Sequence, residues 1–369
     1  MAFPDKPVAH LLGSSGPIHA LAYSASPGTY ILAGSSDRQI RLYNPQSSSS
    51  NAASSSSSSS SSAHLSRQGA ADQGIPEGRL VQTYAAHGYE VLSLSIAADN
   101  ARFASAGGDR SVFLWDVARA QTLRRFGGGG IQGHTARINS VCFCGDEDSL
   151  LVSGGLDTSV RVWDVRSGAQ KPVQVFTDAK DSVSAVVARG AEIVAGSVDG
   201  RVRTYDVRAG RCVTDVVGPS VTSLSLTSDG KAVLVAALDS KLRLMDRETG
   251  GCLKTYADPG RRNEDLRVQA ILGGKEQYVV AGDEMTGTPG QDAEGRLWAW
   301  DVVTGELKAK VRVPWGPAGS EPKKKVVGKD GKEKERTNVI SCLAWREGGF
   351  GDQFCVSGTS GVVTVYGYN

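Results

Sequence analysis

The sequence has 369 residues, 41 basic against 39 acidic side chains and a formal net charge of +2. A chain this long buries a large core without disulfides, and the charge balance argues against direct nucleic-acid binding over the whole surface. No apolar run approaches the ~20 residues of a membrane helix, and the N-terminus, MAFPDKPVAHLLGSS, lacks a secretory leader's basic start and apolar run, so the six cysteines are expected in a reducing, intracellular setting.

Short β-branched segments bounded by turn residues then follow one another, as strands do. Residues 18–45 hold IHALAYS, YILAGSSD and QIRLYNP. Residues 80–118 hold LVQTYAAH, VLSLSIA, RFASAGGD and SVFLWDV. The stretch 133–164 holds INSVCF, LLVSG and SVRVW, and 183–210 holds VSAVVA, EIVAGSVD and RVRTYDV. VTSLSLT, AVLVAALD and KLRLMDR fill 221–250. A sixth unit, VQAILG, YVVAGDE and RLWAWDV, is interrupted by an insertion, and a seventh, VISCLAW, FCVSGTS and VVTVYGY, reaches the C-terminus. The spacing of roughly 40 residues or more marks an internal repeat. A fourth strand trails most units: TLRRFG, PVQVFT, RCVTDVV, CLKTYA and LKAKVRV. The seventh has none. The early segment PVAHLLGSS is therefore expected to supply its outer strand, closing a ring and removing an open edge.

In each of the first five units an Asp stands six residues before a large side chain: Asp37 and Tyr43, Asp109 and Trp115, Asp157 and Trp163, Asp199 and Tyr205, Asp239 and Met245. In the last two, Glu294 and Ser360 hold the turn position before Trp300 and Tyr366. With this register the chain resembles the WD-repeat β-propellers over nearly its whole length. The resemblance implies an all-β, seven-bladed propeller: one domain, residues 1–369, of four-stranded antiparallel blades, its ring closed by the N-terminal strand. It also implies structural tetrads, in which the turn Asp accepts from a His that reaches a Ser hydroxyl and the Trp indole. His87, Ser105, Asp109 and Trp115 match one; His134, Ser153, Asp157 and Trp163 match the other. The second and third units are expected to be the most rigid, the sixth and seventh the loosest.

Catalytic readings are weak beside this. His134 and Asp157 recur in a second unit as His87 and Asp109, as a structural pair does. Residues 128–133 satisfy GxGxxG but lead into a strand, whereas a dinucleotide site needs a helix. Cys142, Cys144, Cys342 and Cys355 fall within strands as small hydrophobes, and no cluster has metal-ligand spacing. No catalytic residue, cofactor or metal is expected.

Three insertions depart from a plain ring. Residues 46–78 are dominated by serine and cannot bury a core. Residues 283–293 interrupt the sixth unit, and 314–336 join it to the seventh. With the linker at 258–267, the last two are expected on one sector of the top face, a partner site. Lys323, Lys324 and Lys325 form a candidate basic loop there; a solvated tail is its simpler reading, a nuclear-localisation or RNA-phosphate role the other. Around the central opening the resemblance places a candidate partner-binding rim of Glu90, Arg137, Leu156, Val198, Leu238, Arg267 and Asn338. AHGYEVL, SVFLWDVA, EIVAGSVDGRVRTYDVRAG and ALDSKLRLMDRETG are similar to the mitogen-activated protein kinase organizer group of this family, scaffolds also associated with the pre-mRNA splicing machinery. That implies kinase-cascade and spliceosomal protein partners, no membrane, cytoplasmic and nuclear locations, and a monomeric propeller within larger complexes. The alternative is a cullin–RING ubiquitin-ligase substrate receptor, in which Arg166 and Arg208 of two WDxR-like turns contact the adaptor.

Overall fold

A computed structural model describes residues 3–46, 75–128, 132–284, 294–317, 338–346 and 352–368, with the backbone of 326–327 and 333–334. Most of the serine-rich loop, residues 285–293, Lys323–Lys325 and part of the glycine run lie outside the described residues.

Seven four-stranded antiparallel sheets form, each built from strands consecutive in sequence except the last. Their innermost strands are Ile18–Tyr23, Val91–Ile96, Ile138–Cys144, Val183–Arg189, Val221–Leu226, Ala270–Gly273 and Ile340–Trp345. In the last sheet the outer strand is Lys6–Leu11, paired with Val363–Gly367 from Lys6 opposite Gly367 to Leu11 opposite Val363. The two ends of the chain thus close the ring, and Ala9, His10 and Leu11 are buried by it. The insertion at 314–336 contributes a ribbon that the sequence pattern did not predict, Val326–Val327 against Glu333–Lys334.

Apolar side chains from facing sheets fill the space between blades. Phe126, Leu114 and Trp163 meet between blades two and three, and Phe3, Tyr278 and Phe354 between six and seven. Polar ties run alongside. The innermost strands carry serines whose hydroxyls serve the next blade's backbone: Ser93 accepts from Val141 N–H at 3.0 Å, Ser140 from Val186 N–H at 3.1 Å, and Ser223 from Ala270 N–H at 2.9 Å. Gln269 accepts from Leu343 N–H at 3.0 Å in the same manner. These bonds satisfy edge donors that the ladder leaves unpaired.

A register shift interrupts the pairing of first and second strands in six blades, just after the first residue pair. The skipped residues are His19, Leu92, Asn139, Ser184, Thr222 and Ser341. A bulge twists a strand and re-aims side chains, and here it does so at one end of the central channel. The second strand then passes so close to the first that only glycine fits. A Cβ on Gly107 would stand 1.9 Å from Glu90 O, and one on Gly358 1.7 Å from Val339 O.

Candidate functional site

In blades two and three a polar chain joins the strands. Trp163 Nε1 donates to Ser153 Oγ at 2.8 Å, Ser153 Oγ meets His134 Nε2 at 2.7 Å, and His134 Nδ1 stands 2.9 Å from Asp157. Trp115, Ser105, His87 and Asp109 repeat it at 2.8, 2.6 and 2.5 Å. Protonation follows from the partners. Burial pushes the Asp157 carboxyl up, but hydrogen bonds led by His134 outweigh it and hold the carboxyl far below its usual range. An ionised carboxylate only accepts, so His134 Nδ1 carries the proton. Burial lowers the His134 pKa against the pull of Asp157, so the ring is neutral and its Nε2 accepts from Ser153. Every donor has an acceptor, which is what a buried network needs to be stabilising. The indole meets the serine and not the histidine.

Serine, histidine and aspartate in this order also describe a hydrolase triad. The distinction is access. Ser153 and Ser105 are fully buried, and an indole N–H already occupies each hydroxyl. Burial likewise pushes the Cys144 and Cys342 thiols up to about 12, well away from thiolate nucleophiles. Cys142 is half-buried and Cys355 buried, whereas Cys212 and Cys252 are exposed on outer strands.

Blades without the histidine rebuild the chain around an arginine four residues after the turn Asp. Arg41 pairs with Asp37 at 2.8 Å, Arg203 with Asp199 at 2.7 Å, and Arg243 with Asp239. Ser197, two residues before Asp199 rather than four, receives Arg203 Nη1 at 2.8 Å. Burial pushes Asp199 up, but bonds from Arg203, Ser197 and Lys180 N–H bring it down to about 2. The spacing D-x-x-x-R in DRQIR, DGRVR and DSKLR places the arginine; DTSVR in the histidine-bearing third blade shares it, with Arg161 3.7 Å from Asp157, so the substitution reads as this spacing without the histidine. Blade six corrects the expectation for Glu294. There Asp283, fully buried, accepts from Trp298 Nε1 at 2.9 Å and Arg262 N–H at 3.2 Å. The neighbouring Glu284 accepts the N–H groups of Glu264 at 2.7 Å and Leu266 at 2.9 Å. The linker and the start of the blade-six insertion therefore meet.

The rim positions come together on one face. In blades one to five the residue after the second strand donates its N–H to the residue before the first: Ser36 to Pro17, Leu156 to Arg137, Val198 to Ser182 and Leu238 to Ser220, all at 2.9 Å, and Gly108 to Glu90 at 3.1 Å. Leu156 is 46% exposed and Val198 38%, while Leu238 and Glu90 are half-buried. Asn338 is a correction. It is fully buried, and its amide donates to Val313 O at 3.3 Å and Pro314 O at 3.2 Å. In blade seven the matching bond runs from Thr359 to Val339, so Val339 occupies the rim position, one residue on.

Arg267 lies in the channel mouth itself. Its Nη1 reaches Asn139 O in blade three at 2.9 Å and its Nε reaches Thr222 O in blade five at 3.4 Å. Both acceptors belong to bulge residues, whose carbonyls the ladder leaves free. Arg137 and Arg267 are the charged residues of the channel lining, beside His19, Gln269 and Ser341. Elsewhere, Arg166 is bonded to Glu147 at 2.8 Å and Arg208 is exposed. Each N–H folds onto a preceding aspartate, at 2.7 Å to Asp164 and 2.9 Å to Asp206, but Val303 does the same with Asp301 at 3.0 Å, so the turn is general to the repeat. Among the described residues no group of three His, Cys, Asp or Glu could hold a metal, and no helix is long and apolar enough to cross a membrane.

Comparison with known proteins agrees with this architecture. The WD domain, G-beta repeat, matches residues 5–44, 78–116 and 128–164. WD repeat domain-containing protein 83 of Homo sapiens is 35% identical over 313 residues, covering 85% of this chain and 84% of that one. Its homolog in Dictyostelium discoideum is 26% identical over 329 residues, 82% of this chain and 86% of the other. The guanine nucleotide-binding protein subunit beta of Zea mays shares 32% identity over 123 residues, 33% of this chain.

Proposed function

Because this chain belongs to the WD-repeat family, with WD repeat domain-containing protein 83 among its relatives, we propose that it is a non-catalytic scaffold that gathers components of a mitogen-activated protein kinase cascade and also serves the pre-mRNA splicing machinery, in cytoplasm and nucleus. The observation that carries the scaffold reading is the division of labour among its polar residues. The buried Ser, His, Asp and Arg side chains are used in holding strands together, while the exposed Leu156, Val198 and Arg137 gather on one rim. Apolar and arginine side chains around a rigid opening suit protein contacts. Holding two enzymes on one ring raises their effective concentration without new chemistry. The kinase and splicing assignments rest on the resemblance of blades two to five. The adaptor reading of Arg166 and Arg208 draws no support from a turn that blade six shares. Affinity purification of the tagged full-length protein from native cells, separately from cytoplasmic and nuclear fractions, tests the assignment. Kinase-cascade proteins are expected in the first and spliceosomal proteins in the second; recovery of neither group retires both assignments.

A further inference from the structure

We propose that Arg137 and Arg267 form an anion-binding slot at the channel mouth that receives a carboxylate side chain of a docked protein partner. The inference rests on the scaffold reading and names what the rim selects. Two arginines from blades three and six line one open mouth; its lining contains no acidic residue, and Glu90 stands beside it on the rim. The ion pairs among the described residues include neither of them.

Arg267 is held in place by the Asn139 and Thr222 carbonyls, so its position is set before any partner arrives. These bonds use Nη1 and Nε; Nη2 makes no bond among the described residues. A guanidinium has five N–H donors in a fixed fork, and this one is half-committed and half-open. Burial pushes its pKa down to about 10, with the Arg137 charge acting in the same direction. Arg267 stays charged at neutral pH, and the Arg137 guanidinium repels it until an anion arrives. His19, at the same mouth, does not offset them. Its ring bonds Ser36 at 2.7 Å, and burial holds its pKa below the usual value.

The surroundings favour a protein over a free ion. Leu156 is 46% exposed and Val198 38%, at the rim positions of blades three and four, and Tyr89, 60% exposed, precedes rim residue Glu90 in the chain. An apolar collar around a charged slot is the arrangement of an interface hot spot. Glu90 favours a carboxylate over a phosphate group. It lies close enough to His19 to act on that ring's charge, and it opposes a dianion more strongly than a monoanion.

The test uses the full-length protein and fluorescein-labelled Gly-Leu-Glu-Leu-Gly, with forms in which Gln or phosphoserine replaces Glu. Fluorescence anisotropy at fixed ionic strength is expected to show the Glu form binding at least tenfold tighter than the Gln form. Arg137→Gln alone, at a side chain that makes no bond among the described residues, is expected to erase most of that preference. The double variant with Arg267→Gln is expected to erase all of it, and an unchanged melting temperature checks each fold. Equal binding of the Glu and Gln forms, including no binding of either, overturns the slot. So does displacement of the Glu form by inorganic phosphate, or tighter binding of the phosphoserine form. Native partners retained by the double variant in a pull-down would leave the scaffold reading standing while the slot fell.

Discussion

Ser153 shows how much rests on one hydroxyl. It accepts from the Trp163 indole and bonds the His134 ring, and all three side chains are buried. Ser153→Ala strands both partners, and a buried polar group left unpaired costs about 1–3 kcal/mol. Urea unfolding is therefore expected to show a loss of about 2–4 kcal/mol for Ser153→Ala, against a small change for exposed Ser228→Ala. His134 adds a pH dependence. Its folded pKa lies below 6.5, so near that pH the unfolded chain takes up a proton that the folded chain refuses. Stability is then fully present above 6.5 and falls as pH drops through it. Urea midpoints between pH 7.5 and 5 should fall for the wild type and fall less for His134→Gln. Asp199 has the acid-side counterpart: its contribution is present above 3.8 and is lost as pH falls towards about 2. These tetrads were legible because each member sits at a fixed offset from its neighbours. Asn338 was misplaced because the rim register is counted from a strand start, and blade seven begins pairing one residue later than its apolar pattern suggests.

Whole strands were read from period-two patterns and turn residues, and the closing strand from simple counting: seven units needed an outer strand that only the N-terminal segment could supply. Lys6–Leu11 fulfils that expectation. Deleting residues 1–12 exposes the edge of Val363–Gly367 and uncovers the core around Val363 and Val365. Such an edge invites strand pairing between chains, so light scattering on warming is expected to show aggregation at a temperature well below that of the wild type. The arginine-based blades escaped notice for a physical reason. A guanidinium reaches the turn Asp from four residues downstream, whereas the histidine reaches it from the preceding loop, so a search for the histidine finds only a gap. Blade six escaped because its acid moved from the turn to the end of the second strand. Amide exchange should rank the blades: protection in Leu150–Gly155, tied into the full tetrad, is expected to exceed that in Tyr278–Gly282, beside the interrupted blade.

At the scale of the whole molecule, the polar residues hold the ring and the mouth presents what remains. The bulges that admit Arg267 to the channel left no trace in composition or periodicity, because a one-residue slip reads in sequence as an ordinary strand start. Full-length protein carrying Leu156→Asp, Val198→Asp and Arg137→Gln, compared with wild type and with the outer-strand variant Val213→Asp, tests the central claim that partners dock on this rim. Quantitative mass spectrometry of what each form retains from native extract, with melting temperatures matched, is the measurement. The rim variant is expected to lose its partners at least tenfold while the outer-strand variant keeps them. Equal retention by the two variants would contradict the account.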